Sequence, residues 1–100
     1  MNMILAKILN KIYKKNGIIL EDSSGQKYII GTPQKNNPIT IKLLKDNLKW
    51  RLILDPELEF PEAYMRNEIL IQNGSLEEFL MSLIENLGRE EITTASYFFK

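Results

Sequence analysis

The sequence of 100 residues contains no cysteine and no histidine. The missing cysteines exclude disulfides and thiolate metal sites, and the missing histidines remove the commonest general base and metal ligand. Glycine is also sparse: the chain has five glycines, which stand singly and form no phosphate-binding loop. Since no serine or threonine has a histidine to activate it, the residues of this chain indicate a protein without enzymatic activity of its own.

Neither charge is in excess, because 13 basic residues balance 13 acidic ones. Nucleic-acid binders usually carry a basic excess, so we expect no nucleic-acid partner. No apolar run approaches the roughly 20 residues of a transmembrane helix. Lysines interrupt the apolar residues near the N-terminus, unlike in a secretory signal. The sequence therefore predicts a soluble, cytoplasmic chain, and its 44% hydrophobic residues are enough for the core of one domain.

The first part of the sequence predicts a helix followed by three strands. Apolar residues at helical spacing predict a helix over 3–16 that ends at Gly17. Its lysine face is typical of a helix packed on a core, and binding to an anionic membrane surface is the alternative. Short β-prone runs at 18–21 and 27–30 flank a turn and predict a hairpin, while alternation over 39–43 predicts a third strand.

Residues 45–54 fit two patterns. Their alternating apolar side chains would suit a strand, but leucines four residues apart suit a helix with Asp46 as its N-cap, and we favour a short helix. Pro56 and Pro61 predict that the next segment is a tight connection. A fourth strand is predicted over 68–72.

The strongest local signal is a helix after this strand. Ser75 and Glu78 have the spacing of a capping box, and Gly88 is expected to end the helix. Six apolar side chains follow one face and are expected to lie in the core or in another apolar groove: Leu76, Phe79, Leu80, Leu83, Ile84 and Leu87. Residues 89–100 are interpreted as a linker or tail. Three aromatic residues there either fold back onto the domain or mark a chain that continues into a second domain: Tyr97, Phe98 and Phe99.

Together these elements predict an α+β fold over residues 1–88. We expect a small, mostly antiparallel sheet of about four strands. An N-terminal helix, a short middle helix and a C-terminal amphipathic helix are expected to pack on it.

Glu62 is the acidic residue that stands apart from the others. Most acidic residues occur in close pairs, such as Glu77 and Glu78, and are expected to mark solvated faces. Glu62 instead lies between Pro61 and an apolar run, where a carboxylate needs a partner. We favour a role in capping the turn begun by Pro61, and a contact with a ligand or another domain is the alternative.

Residues 52–87 contain, in order, Asp55-Pro56, Leu58, the run Glu62-Ala63-Tyr64-Met65, a short strand, a glycine and a Leu/Phe-rich helix. This order resembles the N-terminal domain of cyclopropane-fatty-acyl-phospholipid synthases, which are S-adenosylmethionine-dependent methyltransferases of membrane lipids. The family pattern there is glycine-glutamate-alanine-tyrosine-methionine followed by aspartate-glycine. This chain has Pro61 in place of the first glycine and Arg66-Asn67 in place of aspartate-glycine. Asn67 can adopt the left-handed backbone that a glycine would adopt.

The upstream order of helix, hairpin, loop and strand also matches the family, so the resemblance covers most of residues 1–88. The chain is more distantly similar to sterol-carrier-protein-like lipid-binding domains. The resemblance implies a non-catalytic domain that helps to bind or present phospholipid acyl chains to a methyltransferase domain further along the chain. In the family the S-adenosylmethionine site and the catalytic residues lie in that second domain, so no cofactor is expected here.

The implied partners are phospholipid at the inner face of the membrane and the chain's own methyltransferase domain. A purely structural or interaction domain, packed on a catalytic domain or self-associating as a homodimer, is the alternative. On the lipid-binding interpretation, apolar residues of the last helix line a groove or cavity, and Trp50, Tyr64 and Met65 lie near its mouth. The candidate lipid-binding or inter-domain residues are Trp50, Glu62, Tyr64, Met65, Phe79, Leu80 and Leu83.

Overall fold

A computed structural model describes the backbone of residues 3–98 and the side chains of 4–48, 50–56 and 58–87. It confirms an α+β fold with four strands and four helices in this part of the chain. In chain order the elements are α1 (Met3–Ile12), β1 (Gly17–Glu21), β2 (Lys27–Gly31), β3 (Thr40–Leu43), α2 (Leu48–Leu54), α3 (Pro56–Met65), β4 (Ile69–Gln72) and α4 (Leu76–Phe98).

The four strands form one sheet in the order β2-β1-β3-β4. The predicted hairpin of β1 and β2 is confirmed as an antiparallel pair, and β3 and β4 form a second antiparallel pair. Between these two pairs, β1 and β3 run parallel, with Leu20 opposite Ile41. The segment from residue 32 to 39 makes this parallel pair possible, because it leads the chain from the edge strand β2 to the other side of β1.

Alternation along the strands gives the sheet one buried face. Ile18, Leu20 and Ile30 are fully buried, as are Ile41 and Leu43 on β3. The helices pack against one another and against this sheet, and the buried apolar side chains that the structure describes belong to one cluster. The alternate strand positions include exposed residues on the opposite face, as expected for an antiparallel sheet with one face toward the core.

The first helix is shorter than predicted, because it ends at Ile12 rather than at residue 16. Asn86 of α4 explains the difference: its Oδ1 accepts hydrogen bonds from the backbone N–H groups of Lys14 and Lys15, both at 2.6 Å. These two amides are thereby bound outside a helix. Asn16 then takes a left-handed backbone with a φ of 59°, and Gly17 begins β1 instead of ending α1.

The expectation of a tight connection at Pro56 and Pro61 was wrong, because the segment forms the helix α3. Pro56 occupies the first helical position, where its missing N–H and fixed φ are tolerated. Asp55 caps the helix by accepting a hydrogen bond from the Leu58 N–H at 3.4 Å, and Pro61 lies inside it. The helix α2 is confirmed, but Asp46 is not its N-cap, since the helix begins after Asn47.

The capping box at the start of α4 is confirmed. The Ser75 N–H donates to Glu78 Oε1 at 2.8 Å, and the Glu78 N–H donates to Ser75 Oγ at 3.1 Å. The expected end at Gly88 was wrong, because α4 continues to Phe98. A single glycine inside a helix costs only about 1 kcal/mol relative to alanine, which the rest of a long helix can offset. The predictions for the terminal aromatic residues lie outside the described side chains.

Candidate functional site

The seven candidate residues divide into an exposed group on α2 and α3 and a more buried group on α4. Trp50, Glu62, Tyr64 and Met65 are exposed. In contrast, Phe79 and Leu83 are fully buried and Leu80 is half-buried. The structure therefore does not bring all seven together into one accessible site.

The buried group forms part of the closed core between α3 and α4. The ring centroids of Phe60 and Phe79 are 4.8 Å apart and the rings meet edge to face, with an interplanar angle of 76°. This is one of the two favoured geometries for aromatic pairs. Because Phe79 and Leu83 have no exposed surface, they do not line a groove open to solvent. An acyl chain could contact them only if the helices separated.

Three of the four exposed candidates, together with Leu54 and Leu58, are exposed apolar residues of the two packed helices. We call this set the α2–α3 surface: Trp50, Leu54, Leu58, Tyr64 and Met65. Leu54 and Met65 are the most exposed of the five, at 84% and 75%. Trp50 and Leu54 are four residues apart and so lie on one side of α2, and Leu58 and Met65 are seven apart on α3. Leu54 and Leu58 were not among the site residues predicted from the sequence. The signal for Leu54 was available, since the inward stripe of α2 leaves residue 54 on the other side.

A network of ion pairs holds α2 and α3 against the start of β4. Glu68 accepts hydrogen bonds from Arg51 Nη2 at 2.8 Å and from Arg66 Nε at 3.0 Å, and Lys45 Nζ lies 3.6 Å from it. Glu59 forms longer ion pairs with the same two arginines, at 3.9 and 3.7 Å. Arginine suits this arrangement because its planar group presents several donors in fixed directions.

The electrostatics of this network are nearly balanced. The hydrogen bond from Arg66 lowers the pKa of Glu68, against the opposing effect of burial, and the Arg51 hydrogen bond lowers it further. In return, the hydrogen bond to Glu68 raises the pKa of Arg66, and the nearby charges of Glu62 and Glu59 add to that rise. Both arginines are therefore paired with carboxylates. The network orients the α2–α3 surface and does not give that surface a strong positive charge.

The run Glu62-Ala63-Tyr64-Met65 forms the last turn of α3, and each residue has a distinct environment. Ala63 is buried, with 1% exposure, and its carbonyl accepts a hydrogen bond from the Glu68 N–H at 2.8 Å. A larger side chain at this position would have to displace core atoms. Tyr64 and Met65 point outward and are exposed. The chain then turns through Asn67, whose φ of 59° confirms the left-handed backbone expected there.

The interpretation of Glu62 needs correction. It was expected in an apolar neighbourhood, with a role in capping a turn begun by Pro61. In the structure it is exposed and lies within α3, so no turn begins at Pro61 for it to cap. Its carboxylate faces solvent near Arg66, whose charge it supports.

A polar cleft of about 470 Å³ lies at the end of the sheet where β1 begins and β4 ends. Three asparagines at this cleft, Asn16, Asn37 and Asn73, have left-handed backbones with φ between 52° and 62°. The first turns of α4 complete it with Glu77, Glu78, Met81 and Ser82. None of the seven candidate residues lines this cleft. No local pattern in the sequence predicts it, because its residues come from four separate segments.

Within the described part of the chain, no helix has the length and apolar character needed to cross a bilayer. Comparisons with protein-family models, with curated proteins and with solved structures give no match to this chain. The candidate site therefore rests on the α2–α3 surface and on the residues that position it.

Proposed function

We propose that this chain is the non-catalytic N-terminal domain of a methyltransferase that resembles cyclopropane-fatty-acyl-phospholipid synthases. It helps to bind or present phospholipid acyl chains, at the inner face of the membrane in the cytoplasm. The supporting observation is the turn at the end of α3. There, Ala63 is buried, Tyr64 and Met65 are exposed, and Asn67 has the left-handed backbone that lets it stand in place of the glycine in the family pattern.

The domain itself carries no chemistry in this proposal. S-adenosylmethionine and the catalytic residues belong to a methyltransferase domain further along the chain, and residues 89–100 lead toward it. Incubation of this chain with S-adenosylmethionine and unsaturated phospholipid should give no methylated product. Any turnover by the purified chain would contradict this part of the proposal.

The α2–α3 surface is the part of the domain that contacts lipid. Phe79 and Leu83 of α4 are fully buried, whereas Leu54 and Met65 expose most of their apolar side chains. Tyr64 is amphipathic, and tyrosine is enriched at the boundary between lipid and water. The two arginines paired with Glu68 fix the orientation of the α2–α3 surface without giving it a large net charge. We therefore expect shallow, peripheral contact rather than insertion.

Co-sedimentation with liposomes tests this proposal. Vesicles of anionic phospholipid at low salt should bind the wild-type chain, and a variant with Leu54→Ser and Met65→Ser should bind severalfold less. The matched control is Met81→Ser, which removes an exposed apolar side chain, 64% accessible, from α4. Absence of binding by the wild-type chain, or equal binding by the double variant and the control, would overturn the lipid role of this surface.

A second candidate function is a structural or interaction domain whose surface packs on the catalytic domain or on a second copy. The closed core and the balanced charges of the ion-pair network favour it, because protein interfaces commonly combine apolar residues with arginine. Sedimentation velocity separates the two functions. Self-association that is lost in the Leu54→Ser, Met65→Ser variant, without liposome binding by the wild-type chain, would support the second.

A further inference from the structure

The strand β2 forms one edge of the sheet, which makes it a potential site of pairing with another chain. It pairs with β1 through Ile18 opposite Ile30 and Ile19 opposite Ile29. In an antiparallel pair the backbone groups of alternate residues point away from the partner strand. Ile29, which lies at the middle of this edge, is also 68% exposed. An apolar edge of this kind usually requires protection.

The side chain of Asn10 on α1 occupies this edge. Its Oδ1 accepts a hydrogen bond from the Gly31 N–H at 2.8 Å, and its Nδ2 donates to the Ile29 carbonyl at 3.3 Å. A second hydrogen bond from Nδ2 to the Ala6 carbonyl, at 3.2 Å, fixes the amide against its own helix. The amide thus offers β2 one donor and one acceptor, as the peptide groups of a neighbouring strand would.

We propose that α1 is a cover for the β2 edge, closed by Asn10, and that an uncovered edge pairs with β2 of a second copy of this chain. The Ile29 carbonyl and the Gly31 N–H are the groups that such pairing needs, so the two states exclude each other. This inference is independent of the lipid-binding proposal.

The sequence of β2 favours a second copy as the partner. In a two-fold antiparallel arrangement centred on Ile29, the two Ile29 side chains stand opposite each other. Each Lys27 then faces a Gly31, so no like charges meet across the pair. The strand is therefore compatible with itself once the amide of Asn10 has left.

The substitution Asn10→Ala tests the cover. Alanine is a better helix former than asparagine, so the substitution does not weaken α1 through helix propensity. We expect amide hydrogen exchange at Gly31 to become about tenfold faster, which corresponds to the loss of one hydrogen bond of ordinary strength. We also expect sedimentation velocity to show more self-association than in the wild-type chain. Lys11→Ala, one residue away on an exposed position, should change neither quantity.

Two further variants make the outcome decisive. Asn10→Asp keeps the acceptor for Gly31 and removes the donor to Ile29, so we expect exchange at Gly31 to be faster than in the wild type and slower than in Asn10→Ala. This variant keeps the test possible if Asn10→Ala does not fold. Adding Ile29→Lys to Asn10→Ala places two cations opposite each other in the paired edge and should restore the wild-type sedimentation. Unchanged exchange at Gly31 in both Asn10 variants would overturn the cover. Faster exchange at Gly31 without self-association would contradict the proposal that a second copy pairs with the uncovered edge.

Discussion

The buried face of α4 and the exposed α2–α3 surface are built from similar residues but have opposite environments. Phe79 and Leu83 are fully buried, whereas Leu54 and Met65 are 84% and 75% exposed. The α4 residues recur at intervals of three and four, which keeps them on one side of a long helix. Leu54 lies off the inward stripe of its short helix. Periodicity separates these residues, although not every member of a stripe is packed, since Ile84 of the predicted α4 stripe is 38% exposed.

The largest loss of stability is expected from a substitution on the buried face of α4. Phe79→Ala removes the edge-to-face contact with Phe60 and leaves a cavity, so the free energy of unfolding should fall by about 3–5 kcal/mol. Urea denaturation followed by circular dichroism measures the change. On the same helix, Met81→Ala should alter stability by no more than about 0.5 kcal/mol, because its side chain is mostly exposed. Equal losses in the two variants would contradict the assignment of Phe79 to the core.

The next largest loss of stability is expected in the ion-pair network that orients the α2–α3 surface. Glu68→Gln replaces the carboxylate that both Arg51 and Arg66 bind, so we expect stability at pH 7 to fall by less than in Phe79→Ala. The folded-state pKa of Glu68 lies below its ordinary value of 4.5. Its contribution is therefore complete above that ordinary value and is lost as the pH falls through the lower, folded-state pKa.

Denaturation curves at several pH values measure this dependence. The difference in the free energy of unfolding between the wild type and Glu68→Gln should become smaller as the pH is lowered below 4.5. Lys45→Ala is a suitable comparison, since its ion pair with Glu68 is longer, at 3.6 Å, and its own side chain is more exposed. A gap that stays constant down to acid pH would show that Glu68 acts through packing instead of charge.

A smaller effect is expected at the turn between α3 and β4. Asn67 has a φ of 59°, which costs an alanine side chain about 1 kcal/mol or slightly more. Asn67→Gly should be nearly neutral, because glycine adopts this backbone without steric cost. Thermal unfolding of the two variants separates these expectations. If alanine were tolerated as well as glycine, the left-handed turn would not explain the choice of residue here.

The smallest effect on stability is expected for the exposed side. Leu54→Ser and Met65→Ser should each change the free energy of unfolding by no more than about 0.5 kcal/mol, because little apolar area is lost from the core. Chemical denaturation of the single variants checks this. A loss above 2 kcal/mol in either variant would indicate that its side chain packs in the fold, and the comparison between the two regions would fail.

Local patterns in the sequence predicted much of the fold. Periodicity identified α1 and α4, and turn residues between two β-prone runs identified the hairpin. The capping box formed by Ser75 and Glu78 was also correct. The helix α3 was missed because two prolines usually interrupt helices, while here Pro56 sits at the one position where proline is favoured.

The remaining features depend on contacts between distant parts of the chain. The parallel pairing of β1 with β3 leaves no local pattern, since it depends on how the chain crosses from β2. For the candidate site, Asn67 was anticipated from its capacity for a left-handed backbone. The division of the seven residues into buried and exposed groups was not anticipated, because the sequence shows that Phe79 and Met65 are both apolar but not that Phe79 is buried and Met65 exposed.

The contact between Asn86 and the segment after α1 has a consequence for the order of folding. Lys14 and Lys15 lie 72 and 71 positions before Asn86 in the sequence. Closing so long a segment costs entropy before the contact gains any free energy, whereas the β1–β2 hairpin closes over a few residues. During synthesis α1 and the hairpin emerge before α4, so the backbone N–H groups of Lys14 and Lys15 lack their Asn86 partner until α4 has been made. The first helix described is thus completed by a contact from the last one.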